Sequence, residues 1–190
     1  MDSLLSYISI AAMMVVIPGA DTMLVVKNTL RYGPNAGRCN VLGLATGLSF
    51  WTLIAVLGLA VVIAKSVILF NTIKYLGAAY LIYLGIKSFF AKKMFSLEDI
   101  QAEKNKTENA SSRHYKDSFM QGLFSNVLNP KTVLVYITIM PQFINLRESV
   151  NQQLIILALI LTFLAVFWFL ILVYLIDFAK KWLRSVKFQK

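Results

Sequence analysis

From Gln153 to Phe178 the chain reads QLIILALILTFLAVFWFLILVYLIDF, and Asp177, near its end, is the only charged residue in the run. A helix crosses the hydrocarbon core of a bilayer with about 20 mostly apolar residues, so this stretch reads as a complete span. Four more blocks of the same kind precede it, near Leu4 to Val26, Cys39 to Ala64, Val67 to Phe90 and Phe119 to Ile144. A backbone in lipid must satisfy its own hydrogen bonds, so the expected fold is all-α, a polytopic transmembrane helix bundle with five visible spans. The first block has no basic leader and outruns the apolar core of a cleavable signal, and it therefore reads as a retained span.

Composition points the same way. Hydrophobic residues make up 58% of the chain and charged residues 15%, with a mean hydropathy of +0.67. Soluble domains hold roughly 45–50% apolar residues, so lipid is the expected solvent. The net charge of +10 would suit nucleic acid, but the basic residues crowd into short segments between apolar blocks and form no basic stripe with exposed aromatics. Cys39 is the one cysteine and His114, in a polar loop, the one histidine, which leaves no internal disulfide, metal-ligand cluster or cofactor to expect. The spans carry no catalytic His/Glu cluster, Ser-Lys pair or metal motif, so an enzyme is not expected.

Loop charge gives an orientation, because successive spans alternate sides. One face collects Lys27, Arg31 and Arg38 after span one and Lys87, Lys92, Lys93, Lys104, Lys106, Arg113 and Lys116 after span three. It also collects Lys180, Lys181, Arg184, Lys187 and Lys190 after span five. The other face holds Lys65, Lys74 and Arg147. Cytoplasmic loops carry the Lys/Arg excess, which places the N-terminus outside. The stretch 91–118 is polar and mixed in charge, and it reads as a cytoplasmic linker with disorder near Asn105 to Ser112. It divides the chain into a first half, 1–90, with three spans, and a second, 119–190, with two.

Two spans are interrupted. Span one contains Ile17-Pro18-Gly19-Ala20-Asp21 and span four contains Asn126-Val127-Leu128-Asn129-Pro130-Lys131. Proline removes a backbone donor and clashes with the preceding turn, and the freed carbonyls must find other partners. Breaks at corresponding places in two halves are the sequence mark of a transporter site between repeats, and three spans per half would make the repeat inverted. Asp21 and Lys131 add charge at these breaks, where an unpaired ion costs at least about 2.5–3.5 kcal/mol. A substrate site and a plain kink closed by an Asp21–Lys131 salt bridge both suit this pattern. Gly43 and Gly47 have the small-xxx-small spacing of close helix packing. Trp51, Tyr75, Tyr80, Tyr83, Tyr115, Tyr136, Trp168 and Trp182 include candidates for an interfacial aromatic belt.

These residues together resemble the LysE/RhtB amino acid exporters, named for lysine and for homoserine-threonine export. The resemblance rests on Pro18-Gly19-Ala20-Asp21, Gly33-Pro34-Asn35-Ala36-Gly37, Gly43-Leu44-Ala45-Thr46-Gly47, the run Tyr75 to Gly85, Asn126, Asn129-Pro130-Lys131 and Pro141-Gln142-Phe143. It covers most of Met1 to Leu146. It implies a multi-pass carrier of the cell inner (plasma) membrane that expels amino acids or related small zwitterions, driven by protons and without ATP or a covalent cofactor. A metal cation is the other cargo it leaves room for, and the single cysteine and the absence of histidine from the spans favour the zwitterion.

The resemblance further implies a substrate path near Pro18, Gly19, Asp21, Gly43, Gly47, Asn126, Asn129, Pro130 and Lys131. The expected partners are an amino acid substrate, protons and the lipid bilayer, with no nucleic acid. A homo-oligomer is allowed but not specified. Family members usually have six spans in an inverted three-plus-three repeat. The sequence here ends at Lys190 in what resembles the basic loop before the sixth, so the second half is expected to be one span short. A truncated, non-transporting membrane protein or regulator with the same fold is the competing expectation.

Overall fold

The computed structural model describes residues 2–59 and 111–184, with Thr72 and Tyr75 between them. The third expected span, Val67 to Phe90, and most of the expected linker lie outside these residues apart from those two positions. Among the described residues the regular structure is helical throughout. The elements are α1 (Asp2–Val16), α2 (Ala20–Tyr32), α3 (Pro34–Ile54), α4 (Ser111–Val127), α5 (Pro130–Leu134) and α6 (Val150–Arg184). A π-turn, Ala55–Leu59, extends α3, and α5 runs on through a π-turn, Val135–Ile139, and a 3-10 turn, Met140–Phe143.

The helical membrane bundle is as expected, with changes in detail. Two continuous helices are long and apolar enough to cross a bilayer, Pro34–Gly58 and Val150–Trp182. The first expected span is a bent pair, Ser3–Val16 with Ala20–Tyr32 at 51°, and the fourth is another, His114–Val127 with Pro130–Phe143 at 46°. The described residues thus hold up to four spans, if each bent pair is one. The second span opens at Pro34, earlier than the expected Cys39, because Gly33 supplies a positive φ of 90° for the turn and Pro34 suits the first helical position. The end of the expected linker is helical from Ser111, which includes Ser111 and Ser112 of the stretch expected to be disordered.

Packing follows the small residues. A Cβ on Gly43 would lie 2.0 Å from the carbonyl oxygen of Phe119, and one on Gly122 would lie 2.3 Å from that of Asn40. Helices α3 and α4 therefore touch backbone to backbone, and any larger residue at either glycine would force them apart. The Asn40 amide donates to the Ser118 carbonyl at 2.8 Å and extends the same contact toward the start of α4. On the other side α6 packs along α1, α2 and α3. Tyr7 is fully buried there, donates to the Leu157 carbonyl at 2.9 Å, and meets Phe143 edge-on with ring centroids 5.3 Å apart. The outer face of α6 presents Leu159, Phe163, Phe167 and Tyr174, an apolar surface of the kind lipid requires.

Candidate functional site: the cavity at the helix breaks

Pro18 has no N–H for the carbonyl one turn earlier and disfavours a helical Ile17. Helix α1 accordingly stops at Val16, and α2 starts at Ala20 after an extended Gly19. The Thr22 hydroxyl accepts from the Gly19 N–H at 3.4 Å, and the Met23 N–H returns to the Gly19 carbonyl at 3.1 Å, which closes the first turn.

The second break is built with a better cap. Asn129 is the N-cap of α5, its Oδ1 accepting from the Lys131 backbone N–H at 3.0 Å, and Pro130 fills the first helical position. The Val127 carbonyl, cut from the helical ladder, accepts from the Trp51 indole at 3.2 Å. Trp51 therefore serves the interior here instead of an interfacial belt. Tyr136 is buried too, its hydroxyl donating to the Leu48 carbonyl at 2.9 Å.

The two breaks meet. Asp21 Oδ1 accepts from the Ser125 hydroxyl at 2.7 Å, and its Oδ2 accepts from the Asn126 amide at 3.1 Å and the Asn129 amide at 2.9 Å. Asn126 also donates to the Thr132 hydroxyl at 3.2 Å. Asp21 is 7% exposed, so it lies inside the protein. Its surroundings are these three side-chain donors and the first turn of α2. Lys131 is half-buried, and its ammonium donates to the Ile17 carbonyl at 2.7 Å. The ion pair weighed from sequence is absent, because each charge takes its own partners from the opposite break. Asp21 and Lys131 occupy the same position, second in the helix that follows each break.

A cavity opens beside them. Its polar end is Gly19, Asp21, Thr22, Asn126, Asn129, Lys131 and Thr132, and its apolar wall is Met14, Val15, Leu44, Leu48, Val135, Leu161, Ala165 and Phe169. About 50 Å³ is open to the centre of a water molecule, room for several waters.

Of the residues expected on the path, Gly19, Asp21, Asn126, Asn129 and Lys131 line this cavity. Pro18 and Pro130 shape the breaks. Gly43 lies in the α3–α4 contact, and Gly47 packs on the Asn126 side chain, to which a Cβ would come within 2.8 Å. Sequence reasoning passed over Ser125, Thr22 and Thr132, each of them next to or one turn from a residue it had chosen. The apolar wall gave no signal, since its residues look like any others in an apolar span.

The chain matches the family model of the LysE type translocator over residues 12–190. It is 75% identical over 190 residues to an uncharacterized membrane protein, YrhP, of Bacillus subtilis (strain 168), covering all of this chain and 90% of that one. It is 30% identical over 140 residues to the leucine efflux protein of Salmonella choleraesuis (strain SC-B67), covering 74% of this chain and 62% of that one. The leucine efflux protein of Salmonella paratyphi A (strain ATCC 9150 / SARB42) matches equally. The alignment thus spans less than two thirds of the leucine efflux proteins. No solved structure matches the chain. A helical membrane bundle with a polar cavity between broken helices is the frame of a membrane transport protein. The chain belongs to the LysE type translocator family.

Proposed function

We propose that this protein is a secondary transporter that exports amino acids or related small zwitterions across the cell membrane, coupled to protons, with its N-terminus outside. The observation that carries this reading is the placement of Asp21 and Lys131. Opposite charges stand second in two broken helices, face one cavity, and take their hydrogen bonds from neighbours other than each other. A zwitterion offers each of them a partner of opposite sign. Its carboxylate meets the Lys131 ammonium and the free N–H groups opening α2, where the helix dipole favours an anion. Its ammonium meets Asp21, whose carboxylate has about four acceptor positions and fills three with side-chain donors. The alternative role for Asp21 in the same reading is to carry the coupled proton. The leucine efflux proteins among its relatives support an amino acid as cargo. The inverted repeat is part of the same reading, with the α1–α2 and α4–α5 breaks as its matching elements.

The test is an intracellular inventory. Cells lacking the protein and cells overproducing it are compared for the content of each standard amino acid, with and without an uncoupler. Overproduction is expected to lower the level of one or a few amino acids, and the uncoupler to restore them. Identical inventories in both strains would favour a non-transporting membrane protein.

A further inference from the structure

The cavity divides its labour between elements. Among the described residues its polar groups come from the two broken helices and the turns that join their parts, whereas α3 and α6 contribute only apolar side chains. Along α6 these are Leu161, Ala165 and Phe169, spaced four residues apart and therefore stacked on one stripe. All three are buried, at 4%, 6% and 7% exposure, although the neighbouring Leu159, Phe163 and Phe167 face outward. Leu44 and Leu48 of α3 stand on the same wall. Ala165 leaves a notch between the larger Leu161 and Phe169.

Resting on the exporter reading above, we propose that this wall is a side-chain subsite for neutral aliphatic amino acids and that Ala165 sets the length it accepts. A cationic side chain would find no second acid there, because Asp21 is the only carboxylate lining the cavity among the described residues, stands at the polar end, and is taken by the substrate's own ammonium. An acidic side chain would be buried against leucine and phenylalanine, with Lys131 at the far, polar end. Burying either charge without a partner is strongly disfavoured, so the wall rejects both. An aliphatic chain loses only its water there. Discrimination by an apolar pocket is modest, about 10- to 200-fold per methylene-sized misfit, and this is the scale on which Ala165 acts.

The full chain reconstituted in liposomes tests this by counterflow of labelled leucine and of labelled alanine, with unlabelled competitors. In the wild type, leucine and valine are expected to compete at least about tenfold better than lysine or glutamate. Ala165→Leu fills the notch and is expected to lower the leucine-to-alanine counterflow ratio about tenfold, with Ala165→Val intermediate. Phe169→Leu opens the wall and is expected to raise phenylalanine relative to leucine. Ratios within one preparation are independent of how much protein inserts. Lysine or glutamate competing as well as leucine, or a ratio unmoved by all three variants, overturns the subsite and leaves the exporter standing. Absence of counterflow for every amino acid overturns both.

Discussion

The ammonium of Lys131 lies 2.7 Å from the carbonyl oxygen of Ile17, on the opposite broken helix, and that carbonyl is the last before Pro18. The break in α1–α2 frees an acceptor and the break in α4–α5 fills it. Asp21 reaches back the other way to Ser125, Asn126 and Asn129, so the two breaks are cross-linked at two separate points.

This arrangement separates Asp21 from Lys131 in a double-mutant test. If the two were one salt bridge, the pair Asp21→Asn with Lys131→Met would recover what either single change loses. Because their partners differ, the double variant is expected to be no more abundant in the membrane than the poorer single, and to export nothing. Quantitative immunoblots of membranes and efflux from loaded cells check this. Recovery of abundance by the double variant would show a pair after all.

Asn129 has two tasks, capping α5 through its oxygen and holding Asp21 through its nitrogen. Asn129→Ser keeps a capping oxygen and loses only the second bond, whereas Asn129→Ala loses both. A cap is worth about 0.5–2 kcal/mol, so the alanine variant is expected to be the less stable by about 1 kcal/mol. Thermal midpoints in detergent give the comparison, and equal losses in the two variants would remove the cap from the account.

Gly43 and Gly122 are expected to be intolerant positions. Alanine at either would drive a methyl group into backbone across the α3–α4 contact, at a cost of about 1–3 kcal/mol or more. Gly58 is the control, since among the described residues a Cβ there meets nothing within 4 Å and alanine should be neutral or gain up to about 1 kcal/mol. Melting the purified variants side by side reads the difference, and a Gly43→Ala protein as stable as Gly58→Ala would contradict the close contact.

The proposed orientation has its own measurement. A reporter that works only outside the cell is expected to be active when fused at residue 1 and silent at Asn109. The reverse pattern would invert the charge argument and place the N-terminus inside.

Hydropathy and proline made much of this architecture legible. The apolar blocks located the described spans to within several residues, and Pro18 and Pro130 located both breaks. What meets at the breaks was not legible, because Asp21 and its three partners are 104 to 108 positions apart. Whether Asp21 pairs with Lys131 or each turns to other groups is settled by a few ångströms of helix placement, and periodicity carries no such information. The roles of Trp51 and Tyr136 were hidden for a related reason. An aromatic residue with a polar atom in an apolar span suits an interface by composition, and only the fold shows that atom spent on a carbonyl inside.

The Lys131–Ile17 bond also bears on how tightly this site can hold anything. An ammonium has three donors, so a carboxylate can meet Lys131 while the Ile17 bond stays, and that bond fixes where the charge stands beforehand. Ordering a long side chain on binding costs about 0.5–1.5 kcal/mol, and a lysine already held in place is spared part of that cost. On the exporter reading, Lys131 is thus a fixed post and not a tethered arm.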